Sequence, residues 1–328
     1  MDRGRCLYVL YAGGGAALKK HRAVSEDISV HDKRSPVLER ERILDILARA
    51  PDILTLPTII HEIMEVISRK SSSATDLTTI IESDPALTAR ILTVANSPYY
   101  GFVKKISNVT HAIVVLGFQE IQNIALSMSV LQMFDRRGSE FSEQLWRHCF
   151  SVGVGTRMVG KYLDLKVDGK FFVSGLLHDV GKIFVSQYLA ESFHRILSAM
   201  GDEDNLYGYH ALEERILGIT HQEVGRILLG SWMFPPDVRD AVAFHHDPAA
   251  SQGSPLLAAC VHLADVLCTA RGITPVKDHH FVTVNRSVLP IIQEHRHTFG
   301  TEDMVSLMGQ LDIEIDRQGS FLSVFRKH

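Results

Sequence analysis

The chain has 328 residues, 45% of them hydrophobic and 22% charged, which suits a globular protein of two ordinary domains or one large one. Its formal net charge of −4 argues against a nucleic-acid polyanion as partner, and no apolar run reaches the length of about 18 residues that a membrane-spanning helix needs. The four cysteines form no CxxC pair, which argues against a zinc ribbon or a thioredoxin-like motif; Cys149, Cys260 and Cys268 sit in apolar helical surroundings and read as buried free thiols, in keeping with a reducing cytoplasm.

Residues 1 to about 35 lack sustained periodicity and read as a tail. The apolar run Cys6 to Leu18 is interrupted by glycine and leads into Lys19-Lys20-His21-Arg22, where a signal peptide would need small residues for cleavage, so a secretory signal is not expected. From Pro36 the pattern turns helical, with Leu38, Ile43, Leu44, Ile46 and Leu47 recurring near the helical period. Pro57 starts a second helix whose apolar face holds Ile59, Ile60, Ile63, Met64 and Ile67. A short helix over Asp76 to Ile81 follows the serine turn at 71–73. Asp84-Pro85 opens the next, with Asp84 as N-cap and Pro85 in the first turn. Pro98-Tyr99-Tyr100-Gly101 breaks it, and Asn96 just before is expected to bond backbone near the helix end. Val109 to Leu116 and Gln119 to Met133 are two more helices. None of this region carries an acid–base pair or a metal-ligand cluster.

Arg136-Arg137-Gly138-Ser139 is the expected internal boundary, dividing a helical lobe over 36–137 from a second over 138–270; 271–328 supply closing helices. Phe141 to Leu163 reads as a long helix bearing His148. Lys170 to Leu189 reads as one helix, apolar on nearly every face and therefore central. On it stand His178, Asp179 and Lys182, polar groups in a dry place that need metal, water or one another. After an acidic loop near 202–204, Tyr209 to Leu217 leads to a helix from His221 to Trp232, with Thr220 as N-cap and Glu223 completing a capping-box pattern. Pro235-Pro236 separates it from a helix ending in His245-His246. Leu256 to Ala270 carries His262 and Asp265, and 285–295 and 301–324 close the chain as helices. His279, His280, His295 and His297 lie in polar surroundings and read as solvated. With no strand pattern, the fold is expected to be all-α.

The candidate ligands are His148, His178, Asp179, His221, His245, His246 and Asp265, all on segments read as helical. Imidazole nitrogens and carboxylate oxygens in that mixture suit Fe, Mn, Zn or Ni. Separate helices can bring such groups together in a bundle core. The competing reading is a satisfied polar network that locks the bundle.

The order H…HD…H…HH…D resembles the HD phosphohydrolase superfamily. The wording Leu177-His178-Asp179-Val180-Gly181-Lys182, Gly218-Ile219-Thr220-His221-Gln222-Glu223-Val224-Gly225 and His262-Leu263-Ala264-Asp265 is similar to one branch, the HDOD family of bacterial signalling output domains. In the first half, Ser83-Asp84-Pro85-Ala86-Leu87-Thr88, Ala95-Asn96-Ser97 and Ala112-Ile113-Val114-Val115-Leu116-Gly117 match it as well. The resemblance implies a two-lobed helical bundle with an HD-like core in the C-terminal lobe. His148, His178, Asp179 and Asp265 match a one-metal pattern; adding His221, His245 and His246 matches the two-metal pattern of the HD-GYP branch, in which Lys182 corresponds to a lysine that contacts phosphate. The Gly-Tyr-Pro motif of that branch is missing, for His245-His246 runs into Asp247-Pro248-Ala249, which argues against cyclic-di-GMP hydrolysis of that kind. The family implies a regulatory or scaffolding module, binding a signalling protein or a small nucleotide-like ligand; from the cysteines, charge and hydropathy it is expected to be cytoplasmic, with no membrane or nucleic-acid partner. The alternative is a metal-dependent phosphohydrolase acting on nucleotides or cyclic dinucleotides.

Overall fold

Short polar side chains decide where the first helices begin and end. Ser73 caps the helix Ala74–Glu82 reciprocally: its Oγ accepts from the Asp76 N–H (3.2 Å), and its own N–H donates to Asp76 Oδ2 (2.9 Å). Asp84 accepts from the N–H groups of Ala86 (2.9 Å) and Leu87 (3.0 Å), with Pro85 in the first turn of Pro85–Ala95. Asn96 closes that helix. Its Nδ2 donates to Leu92 O (2.7 Å) and Ile106 O (2.9 Å), and its Oδ1 accepts from Ile106 N–H (2.8 Å), so one amide fixes the return of the chain.

The computed structural model describes residues 9–10, 36–49, 58–69, 72–96, 102, 104–134, 139–201, 208–276 and 282–325. The first helices are α1 (Pro36–Ala48), α2 (Thr58–Ser68), α3 (Ala74–Glu82), α4 (Pro85–Ala95), α5 (Val109–Leu116) and α6 (Phe118–Phe134). They are followed by α7 (Glu140–Tyr162), α8 (Gly169–Leu177), α9 (Val180–Tyr188), α10 (Ala190–Met200), α11 (Tyr209–Leu217), α12 (His221–Ser231), α13 (Pro236–Phe244), α14 (Pro255–Ala270), α15 (Val288–Gln293) and α16 (Thr301–Phe325). Among the described residues no helix is long and apolar enough to cross a membrane.

One apolar core runs through both halves, from Ile43, Ile60, Leu77 and Leu87 to Leu176, Phe184, Leu228 and Val242. A second core joins α7 and α14 to α15 and α16 through Val152, Leu263, Leu267, Val288 and Leu311. α7 packs closely on α8. A Cβ at Gly175 would stand 2.6 Å from Val152 O, so only glycine lets the two backbones come this close. Cys149, Cys260 and Cys268 are buried free thiols, as expected.

The fold is the expected helical one, with several local corrections. The stretch read as one helix over 170–189 breaks at His178-Asp179, where Asp179 takes φ −101°, ψ 14°. The break sets Gly181 against the first turn of α12, where a Cβ would lie 2.0 Å from His221 O. Thr220 does cap α12, but the Glu223 carboxylate turns to the Arg40 guanidinium on α1 (2.5 and 2.8 Å) instead of closing a capping box. The closing helix near 285–295 is shortened to α15, because Asn285 spends its side chain on His246 O and the Ser287 N–H. A two-residue antiparallel pair, Val9–Leu10 with Val282–Thr283, is too short to leave an alternating pattern in the sequence. The rest of the tail at 1–35, the breaks at 98–101 and 136–138, the acidic loop at 202–204, and His279 and His280 lie outside the described residues. His295 and His297 are exposed, as expected.

Candidate metal centre

Each histidine of the site is delivered by a helix end or a helix core, and His148, His178, His221 and His245 each have the outer ring nitrogen held. His178 and His245 stand at the C-termini of α8 and α13. There the last carbonyls of a helix have no intrahelical partner. His178 Nδ1 takes Gly175 O (2.7 Å) and His245 Nδ1 takes Val242 O (2.8 Å), the same step of three residues back in both. His148, inside α7, places Nδ1 on Ile273 O (2.7 Å). His221 opens α12, and its Nδ1 meets Glu213 Oε2 on α11 (2.5 Å). A neutral ring that donates from Nδ1 presents a bare lone pair at Nε2.

Those Nε2 atoms converge. His148 and His178 approach to 3.3 Å, His221 and His245 to 3.4 Å, and His246 lies 3.2 Å from His221. Asp179 stands between the groups. Its Oδ2 lies 3.4 Å from His178 Nε2 and 3.6 Å from His148 Nε2, and its Oδ1 lies 3.3 Å from His221 Nε2. Asp265 Oδ1 is 3.2 Å from His148 Nε2. Three overlapping sets can each hold an ion, with ligand atoms within 4.8 Å of one another: His221, His245 and His246; His148, His178 and Asp179; His178, His245 and Asp265. All seven ligand candidates read from the sequence are thus brought to one interior place.

The residues fit a cation. Asp179 Oδ1 is fully buried and accepts no hydrogen bond, though His221 Nε2 is near, because the ring turns a lone pair toward it. Lone pairs facing one another in a dry interior are repulsive unless a proton or a metal ion lies between them. Mixed imidazole and carboxylate donors suit Fe, Mn, Zn or Ni.

Electrostatics divides the rings. Burial pushes His221 and His246 well below the usual histidine range and His245 to about 3; Lys182 adds to this at His221, His245 at His246, and His178 at His245. For His178 burial acts in the same sense, but the adjacent Asp179 outweighs it and leaves the pKa raised. Burial opposes ionisation of Asp179 and Asp265, yet His178 and Lys182 around the first, and His148 against the second, hold both well below the usual carboxylate range. Lys182 donates to Asp179 Oδ2 (2.6 Å) and lies over the Tyr209 ring at 5.0 Å. It is 12% exposed and Asp265 14%, whereas His178, Asp179, His221 and His245 are fully buried, so the site opens on the side of Lys182, Asp265 and the half-buried His246.

Sequence reasoning missed three supporting residues. Glu213 is wholly buried behind His221. His262 Nδ1 takes His245 O (2.8 Å), and its Nε2 accepts the Asn285 N–H (2.9 Å). Asn285 Nδ2 donates to His246 O (2.8 Å), so these two fix the paired histidines from behind. A signal for Glu213 exists: Tyr209, Leu212, Ile216 and Leu217 form the buried stripe of α11, and Glu213 lies within it. The Asn285 contact pairs distant segments and leaves no local mark.

The HDOD domain family matches residues 53–248, while Asp265, Ile273, His262 and Asn285 of the site lie beyond that span. A Treponema pallidum protein of uncharacterized function is 24% identical over 203 residues, 62% of this chain; the match spans only 39% of that relative. Among solved structures, an HDOD domain protein of unknown function from Geobacter sulfurreducens superposes with a TM-score of 0.72 at 22% identity, covering 86% of this chain and 99% of its own. A candidate signal transduction protein from Marinobacter aquaeolei gives 0.67 at 20% identity, covering 89% and 66%. A candidate phosphohydrolase from Shewanella amazonensis gives 0.64 at 22%, covering 84% and 96%. These structures share the fold, and with the family match spanning more than half of the sequence the chain belongs to the HDOD domain family.

Proposed function

We propose that the protein is a cytoplasmic regulatory module of bacterial signal transduction whose C-terminal lobe holds one or two transition-metal ions, and that it acts by binding a signalling protein or a small nucleotide-like ligand. The observation that carries the metal is the facing pair His221 and His245, both with Nδ1 engaged and with Nε2 atoms 3.4 Å apart. His148, His178, Asp179 and Asp265 would hold one ion, and His221, His245 and His246 the other, with Asp179 between them. A bound ion would supply Lewis acidity and a site for water or a ligand oxygen. The chain's own residues bind and orient: the backbone carbonyls fix ring direction, and Lys182 puts a cation at the open side. Family membership supports the regulatory role.

A second reading, a metal-dependent phosphohydrolase on nucleotides or cyclic dinucleotides, is favoured by that placement of Lys182 beside Asp179. Metal analysis of protein purified without chelator separates the cases when joined to a turnover assay. The regulatory reading expects stoichiometric Fe, Mn, Zn or Ni and no hydrolysis of nucleotides or cyclic dinucleotides. Hydrolysis that is lost in Asp179→Ala transfers the protein to the second reading. A chain purified without metal, and binding none when it is offered, removes the metal centre from both.

A further inference from the structure

We infer that Glu213 is a positioning residue for the second ion, turning the His221 lone pair into the site. This rests on the proposal that His221, His245 and His246 hold a metal. The geometry sets Glu213 apart. His148, His178 and His245 are each oriented by a neutral backbone carbonyl. His221 alone among these four is oriented by a carboxylate, and one oxygen, Glu213 Oε2, receives both its ring Nδ1 (2.5 Å) and its backbone N–H (3.0 Å).

Helix capping does not account for that choice. Thr220 already caps α12 through the Glu223 N–H. Burying an acid at a fully enclosed position is costly, and a serine or an amide could take the backbone N–H more cheaply. Glu213 Oε1 is moreover buried with no hydrogen-bond partner, so the side chain is not placed to satisfy itself. The donor sets supply a reason for an acid. The first group holds two carboxylates, Asp179 and Asp265, whereas the second holds three imidazoles and no carboxylate of its own, sharing Asp179 through His221 and Asp265 through His245. A carboxylate behind a ligating imidazole fixes its tautomer and strengthens it as a donor, and loss of such a partner commonly lowers metal affinity about 10- to 100-fold.

The test is zinc binding by the full chain against zinc buffers, with His246→Ala and Asp265→Ala assigning the two binding steps. Glu213→Ala should weaken the His246-dependent step about 10- to 100-fold while the Asp265-dependent step stays within about twofold. Glu213→Gln keeps volume and an acceptor for Nδ1–H, guards against misfolding of the alanine variant, and should fall between wild type and Glu213→Ala. Two unchanged steps in both variants would overturn the inference and leave the metal centre standing. Equal weakening of both steps would also overturn it, since that reports a general structural role. A wild-type chain without a His246-dependent step refutes the proposed second ion itself, and the inference with it.

Discussion

The helices before residue 139 and those after it share one apolar core but bury different kinds of atoms. Among the described residues of the first group the buried polar side chains are Glu39, Gln122, Asn123, Ser127 and Ser129, with the two serines bonded back to the preceding helical turn. In the second the interior holds His148, His178, Asp179, Glu213, His221, His245 and His262. A cluster of ionisable groups costs stability wherever it is not mutually satisfied, so its confinement to one region makes that region the candidate for binding. The first group reads as the packing partner that lets the second tolerate the cost.

The comparison can be broken most sharply at Asp179. Asp179→Ala removes the carboxylate lying between both groups of histidines and should lower metal affinity at each by at least about 100-fold, read by equilibrium dialysis. The helical content seen by circular dichroism should persist. An alanine variant that binds metal normally would show that the two groups do not depend on their shared residue. Next in size is Gly181→Ala. Its Cβ would lie 2.0 Å from His221 O, so α9 and α12 must part, and urea unfolding should register a loss of about 3 kcal/mol or more together with weaker metal binding. A change in the other region should uncouple these effects. Asn96→Ala strips the acceptor and donor from the turn at Ile106 and should cost about 1–3 kcal/mol while leaving metal affinity unchanged. Altered metal affinity there would mean the regions are not separable in this way.

The smallest effect is on pH dependence. In the metal-free protein His245 stays neutral down to about 3, and burial also holds His221 and His246 well below the usual histidine range. The unfolded chain takes up protons on these rings below about pH 6.5 while the folded chain does not, so stability should decline as pH falls from 6.5 toward 3. Thermal melts of chelated protein at pH 7.5 and 5.5 should show the lower Tm at pH 5.5, and His245→Ala should reduce the difference. An equal or higher Tm at pH 5.5 would mean that the buried rings take up protons as readily as free histidines.

Much of this was legible in the residues because it is local. The helix starts at Asp84 and Thr220 follow from short polar side chains at N-caps. That the candidate ligands meet one another was legible because histidines and aspartates in apolar helices need partners. What escaped was non-local or subtle. The kink at His178-Asp179 is hidden by apolar residues that continue through it, and it depends on Gly181 meeting a helix about forty residues away. Glu223 has the spacing of a capping residue, yet the Arg40 guanidinium on α1 competes successfully for it. Glu213 lay in plain view within an apolar stripe, but without the position of His221 an acid there has no evident purpose.

The central claim is that the facing imidazoles are a cation site and not a self-satisfied polar lock. Anomalous diffraction from crystals of protein purified without chelator, collected above and below the absorption edge of the metal found by elemental analysis, tests it most directly. The account predicts an anomalous peak bonded to Asp179, beside His148 and His178, or beside His221, His245 and His246, or at both. Well-ordered rings with no peak after metal soaking, with protons or water joining the Nε2 atoms, would contradict it.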